Sequence, residues 1–383
     1  MEKESEKKNS NVKLIVILFV LVVVFLLAYF ARDSIIPFFF QPQRATDIER
    51  GVEKSEDFEE DVEIVLTDLT IPWEIAFLPN GEMLVTQRTG QLLYVSEGEV
   101  DQEYEIDGVN HVGEGGLLGM ALHPEYEDNN FLYLYMTVEG ETGIENRIVR
   151  YIFDGEELNE QDVILDEIPG GRTHNGGRIA FGPDGYLYVA TGDAGIVELS
   201  QDLDSLAGKI LRITDEGQIP EDNPFESEIY SYGHRNPQGL TWDNEGNLWS
   251  TEHGPRARDE LNIIQAGNNY GWPEIKGDEQ MEGMETPVLH SGNDYTWAPS
   301  GMTFFQGRIF FGGLRGQSIY EAEIENFEVV DFKIHFEQEF GRIRNISLGP
   351  DGMIYVLANN TDGRGNPDDT DDKIIRVNPA IFE

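Results

Sequence analysis

Residues 172–193 read "RTHNGGRIAFGPDGYLYVATGD". Two runs of strand-forming residues flank Gly182-Pro183-Asp184-Gly185, where proline presets φ and glycine supplies a positive φ. The stretch is therefore a β-hairpin, with His174 outside one strand and Asp193 outside the other. With Pro183 and Asp184 as the two central turn residues, paired positions sum to 367 and His174 faces Asp193. Facing residues have Cβ atoms about 4.5–5.5 Å apart. Asp193 is then placed to accept a hydrogen bond from one ring nitrogen of His174. That bond fixes the tautomer and leaves the other nitrogen for a substrate proton.

The same unit recurs along the chain as "IAFLPNGEMLVTQ" (75–87), "MALHPEYEDNNFLYLYMTV" (120–138), "LTWDNEGNLWSTEHG" (240–254), "MTFFQGRIFFGG" (302–313) and "ISLGPDGMIYVLANN" (346–360). The turns recur about every 45 to 61 residues, and each hairpin is followed by further short strands such as "GKILRIT" and "KIIRVNP". Six degenerate repeats of short antiparallel strands predict an all-β fold, a six-bladed β-propeller of four-stranded antiparallel blades around a channel. The early strand "DVEIVLTDL" (61–69) is expected to close the ring on the last blade. Polar residues recur before the turns: Arg235 eight before Asp243, Thr296 eight before Phe304, Arg342 and Arg344 seven and five before Gly349. By the pairing rule Arg235 faces Gly254 and Asn236 faces His253. A propeller brings these hairpin ends around one channel mouth, which marks a site.

The chain of 383 residues has no cysteine, which excludes disulfides, thiolate metal sites and a cysteine nucleophile. Its formal net charge is −45, from 72 acidic and 27 basic residues, and such a field repels nucleic acid. Only nine residues are lysine, four of them within the first 13. An acidic, lysine-poor domain suits concentrated salt, which screens self-repulsion; an ordinary acidic extracellular protein has the same composition. Leu14–Ala31, "LIVILFVLVVVFLLAYFA", is 18 residues without a charge, long enough for a transmembrane helix. The competing reading, a cleaved signal peptide, lacks a small-x-small site near Tyr29 and Phe30. The lysines before the run favour a cytoplasmic N-terminus. The expected organisation is 1–13 cytoplasmic, 14–31 transmembrane anchor, 32–60 polar tether and 61–383 propeller, with the catalytic domain extracytoplasmic.

"RIR" (342–344) sets two guanidinium groups on one face of a strand, as cationic ligands or as structural ion pairs with acids. "TEHGPRARDELNIIQAGNNYGWP" (251–273) offers carbonyls at Gly254 and Pro255 and the carboxylates Asp259 and Glu260, oxygen donors suited to calcium or simply to an ordered turn. The acidic "NNTDGRGNPDDTDDK" (359–373) reads as a solvated loop. There is no His-Glu-x-x-His, G-x-S-x-G, P-loop or Rossmann pattern, so zinc hydrolase, serine hydrolase and nucleotide chemistry lack support.

Taken in order, "GEGGLLGMALHP", "HNGGRIAFGPDGYLYVATGD", "SYGHRNPQGL", "EHGP…DELNII…GNNYGWP", "WAPSGM" and "GRIRNISLGPDG" resemble the soluble aldose sugar (glucose/sorbosone) dehydrogenases. These are six-bladed propellers that use pyrroloquinoline quinone (PQQ) and calcium, and the resemblance runs from about residue 66 to 378. It implies that His174 is the base taking the sugar C1 hydroxyl proton while hydride passes to the quinone. Asp193 would support that base, and Arg235 would stabilise charge on the reacting carbonyl. Glu114, Asn236, Thr296, Trp297, Arg315, Arg342 and Arg344 match positions around the cofactor, whose three carboxylates call for cations. The Gly254 and Pro255 carbonyls match ligands of the activating calcium, and Glu260 and Tyr270 a second, structural calcium. Glu114 replaces a glutamine of the glucose dehydrogenase branch, Arg315 a common lysine, and Ala194 a polar contact in some members. An aldose and an external electron acceptor are the implied partners, with the membrane reached through the N-terminal helix. Two other readings share the scaffold: a non-catalytic binding propeller, and a calcium-dependent lactonase whose channel metal would need Glu, Asn and Asp ligands.

Overall fold

The computed structural model describes residues 48–53, 61–141 and 143–383. Each hairpin found in the sequence forms the two inner strands of a four-stranded antiparallel sheet, and six such sheets follow one another. The first strands are Pro72–Phe77, Leu117–Leu122, Ile179–Phe181, Pro237–Trp242, Pro299–Phe305 and Ile343–Leu348 for blades 1 to 6. Second strands such as Leu187–Thr191 are buried along their whole length, which is why they read as continuous apolar runs. Outer strands such as Glu99–Glu105 are almost wholly exposed and charged. The hydrophobic core is divided into clusters between neighbouring blades. In blade 5, for example, Phe311, Tyr320 and Phe332 stack, with Trp297 packed against them at a tilt.

Ring closure follows the expectation. Val62–Leu66 pairs antiparallel with Ile374–Val377, so the sixth sheet is built from both ends of the domain. The tether expected over 32–60 needs correction at its described part. Glu49–Arg50 adds a fifth, parallel strand to blade 5 beside Lys333–Ile334. Gly51 N donates to Ile334 O at 2.8 Å, Phe336 N to Val52 O at 2.7 Å, and Arg50 pairs with Glu337 at 3.0 Å. An unpaired edge strand offers ready backbone donors and acceptors, which a polar sequence satisfies as well as an apolar one. The expected span at 14–31 lies outside the described residues. Among those described, no helix is long and apolar enough to cross a membrane.

The hairpin register also differs by one. Phe181 pairs with Leu187, so paired positions sum to 368. The connection is a five-residue loop, with Gly182 N bonded to Tyr186 O and Gly185 N to Gly182 O, both at 2.9 Å. Blade 4 has the same offset within its strands, but a bulge between Pro237 and Gly239 removes it. Such bulges stand at the channel end of the first strand in five blades and re-aim the residues before them.

Candidate active site

His174 and Asp193 meet as expected, His174 Nδ1 lying 2.7 Å from Asp193 Oδ1. By register His174 is opposite Ala194, whose N donates to its carbonyl at 3.1 Å. The side chains still meet because residues 174–178 leave the sheet and Gly176, at φ 62°, turns the chain. His174 itself sits at φ 59°, a left-handed conformation costing a non-glycine residue about 1–2 kcal/mol. Its amide is held by Glu114 Oε2 at 2.9 Å. Asp193 is fully buried and its oxygens are committed: Oδ1 also accepts from Gly195 N at 2.7 Å, and Oδ2 from Trp272 Nε1 at 2.9 Å. With Nδ1 engaged, Nε2 of His174 is left for the basin that the ring lines.

That basin, about 210 Å³, is lined by five arginines, Arg235, Arg256, Arg315, Arg342 and Arg364, against two acids, Glu114 and Asp259. In a chain of net charge −45 this is a strong local inversion of sign. Arg235 Nη1 donates to His253 O at 3.1 Å, and the Arg235 amide is bound by Glu252. Asn236 accepts from Gly176 N at 3.0 Å, and the expected Asn236–His253 pairing exists through His253 N, at 3.2 Å. Thr296 is placed by Asp259, which takes its hydroxyl at 2.7 Å and the amides of Gly254, Trp297 and Ala298 at 2.7–2.8 Å. Burial pushes the Asp259 carboxyl up against those bonds. Burial likewise drives the His253 imidazole down to about 3, so its ring is neutral. Two buried polar atoms of the basin wall have no protein partner, Arg235 Nε and His253 Nε2; Asn236 Nδ2 and Arg344 Nε, on residues that do not line the basin, have none either. Such atoms suit a polar ligand, since leaving them unpaired costs about 1–3 kcal/mol each.

Several expected residues fall elsewhere. Arg342 and Arg344 do not share a face, because the bulge between Ile343 and Asn345 separates them. Arg342 stays in the basin wall, bound to Asp362 at 2.8 Å and to Leu314 O at 2.9 Å. Arg344 turns into the channel, to Gln238 Oε1 at 2.6 Å and over Trp73, and burial lowers it to about 9. Trp297 reaches the site only through its amide; its ring packs inside blade 5. Pro255 is not among the lining residues. Glu260 lies in blade 4 directly opposite Glu252, and burial, then that neighbour, raises it to about 8. The Tyr270 hydroxyl donates to Ile263 O and accepts from Gln265 N, leaving only its backbone carbonyl for a cation. Among the described residues no cluster of three or more metal-ligating side chains occurs.

Sequence reasoning missed Arg364, Asp362 and Trp272. The first two come from the acidic loop read as solvated. It folds over the basin, with Asp362 bound to Arg342 and Arg364 Nη1 on Glu114 Oε1 at 2.7 Å. A lone arginine inside that acidic run was the available signal.

The sequence matches the Glucose / Sorbosone dehydrogenase family over residues 69–375. It is 35% identical over 342 residues to aldose sugar dehydrogenase YliI of Escherichia coli, covering 79% of this chain and 91% of that one. The PQQ-bound form of the aldose sugar dehydrogenase from Streptomyces coelicolor superposes with a TM-score of 0.76 at 40% identity, over 82% of this chain and 97% of the other. A putative oxidoreductase (glucose dehydrogenase) from Thermus thermophilus gives 0.79 at 42% identity, over 82% and 99%.

Proposed function

Because this chain belongs to the Glucose / Sorbosone dehydrogenase family and is an oxidoreductase of sugars, we propose that it oxidises aldoses at C1 to the lactone with PQQ. The observation that carries this reading is the His174–Asp193 pair set at the edge of an arginine-lined basin. The PQQ-bound relative from Streptomyces coelicolor supports the choice of cofactor. A planar tricarboxylate fits the donor set: Arg235, Arg315, Arg342 and Arg364 line the basin, and an open donor remains on Arg235. When bound, the quinone supplies a hydride acceptor.

The chain's own residues bind, orient and move the proton. His174 Nε2 takes the proton from the C1 hydroxyl. Asp193, with both oxygens hydrogen-bonded, keeps the proton of Nδ1 in place and stabilises the imidazolium that forms. Arg235 directs its charge at the basin from a half-buried position on its wall. Electrons then leave to an external acceptor.

The Gly254 and Pro255 carbonyls would hold an activating calcium, and Glu260, facing Glu252, a structural one with the Tyr270 carbonyl. Two carboxylates set opposite each other, one buried and one half-buried, suit a cation. Residues 14–31 would anchor the protein, with its propeller outside the cytoplasm, a reading that rests on their length and apolarity.

The test uses the purified full-length chain with PQQ, calcium and a panel of aldoses, followed by dye reduction. Wild type is expected to reduce dye only with sugar, and His174→Ala to lose about 10²–10⁴ in kcat while still binding PQQ by absorbance. Equal rates in the two proteins would sink the assignment of the base. Chelation should abolish the activity and calcium, not magnesium, restore it.

A further inference from the structure

We infer that Trp272 is a positioning residue for the reaction, coupling the histidine base to Arg235. The inference rests on the role proposed above for His174 and Asp193. Trp272 lies in the loop between the third and fourth strands of blade 4, far in sequence from both. Its indole Nε1 donates to Asp193 Oδ2 at 2.9 Å. The same ring has the Arg235 guanidinium 5.3 Å from its centroid and Lys276 Nζ at 5.6 Å. One side chain thus touches the carboxylate behind the base and the cation beside it.

The segment is held to do this. Trp272 N donates to Gly233 O at 2.9 Å, and Gln201 Nε2 to Trp272 O at 2.7 Å. Gln201 also exchanges hydrogen bonds with Asn269, at 2.9 and 2.8 Å.

The chemistry gives the coupling a sign. The indole N–H stabilises the Asp193 anion and draws electron density from it. Without that bond, the carboxylate attracts the imidazolium of His174 more strongly, so the base keeps its proton to higher pH. A hydrogen bond to a charged group is stronger than one between neutral partners, and part of its effect reaches the histidine. The cation–π contact would in turn fix where the Arg235 charge lies.

The experiment compares full-length wild type, Trp272→Phe, which keeps an aromatic face and removes the donor, and Gln201→Leu, which loosens the segment but keeps the indole. In Trp272→Phe, kcat is expected to fall about tenfold with the sugar KM changed less than about twofold. The acid limb of the kcat/KM profile should move up by about one pH unit. The downfield proton resonance of His174 Nδ1, assigned by its absence in His174→Ala, should move further downfield. Gln201→Leu should show the same signs at smaller size. If the limb and the resonance stay in place in both variants, the coupling is refuted even where kcat falls. The resonance needs neither cofactor nor sugar. An inactive wild type with a shifting resonance would therefore overturn the enzymatic reading while leaving the indole–carboxylate–imidazole coupling standing.

Discussion

Glu114 spans two parts of the site, one oxygen on the His174 amide and the other on Arg364. Burial alone would raise its carboxyl, but Arg364 and the His174 amide outweigh burial and hold it at about 2, against 4.5 when free. A carboxyl lowered by folding stabilises the fold in full above pH 4.5 and loses that contribution as pH falls toward 2. Glu114→Gln should therefore unfold about 1–2 kcal/mol more easily at pH 7, with the difference vanishing near pH 2; urea melts across that window test it. The variant also releases Arg364 from its acid, so PQQ should bind several-fold more tightly by fluorescence titration. The His174–Asp193 contact was legible because both residues flank one local hairpin, although the pairing sum was off by one and the side chains meet only where residues 174–178 leave the sheet. Arg364 was not, because its neighbours in sequence are acids and its partner lies 250 positions away.

The hairpin that opens blade 3 fits its site through close backbone approach. A Cβ on Gly192 would stand 2.0 Å from the His174 carbonyl oxygen, so no side chain fits without moving the base. Gly192→Ala should cost about 2 kcal/mol or more in stability and lower kcat at least tenfold; an unchanged kcat would show that His174 tolerates displacement. At this scale the strands and their order were readable from alternation and turn residues. The register was not, since Gly-Pro-Asp-Gly is compatible with both a two-residue and a five-residue loop. Bulges add or remove a residue without a sequence signature, which is why Arg342 and Arg344 were expected on one face and part company.

Six repeats made the whole ring legible, and an apolar strand left over at the start of the domain indicated how it closes. Deleting residues 1–68 removes that strand and leaves Ile374–Val377 with an open edge; the product should be insoluble or melt at least 10 °C lower, whereas deleting 1–47 should leave the melting temperature unchanged. The charge of −45 acts at the same scale. Raising KCl from about 0.1 to 1 M shortens the screening length from about 10 to 3 Å, so the melting temperature should climb by several degrees. A flat response would assign the acidity to solubility alone. The arginine basin was legible in part, through Arg235, Arg315 and Arg342, but not as an enclosure, because Arg364 and the lid that carries it come from the far end of the chain.

The short strand at Glu49–Arg50 has a mechanical consequence. A pull arriving from the N-terminal side loads the junction with blade 5 before it loads the strand that closes the ring. That junction is clamped by backbone bonds on both sides, by Arg50 on Glu337, and by His335 Nδ1 receiving the Val52 amide at 2.9 Å. It works as the strain relief on a cable does, letting a tugged lead spend its force on the casing while the plug stays seated.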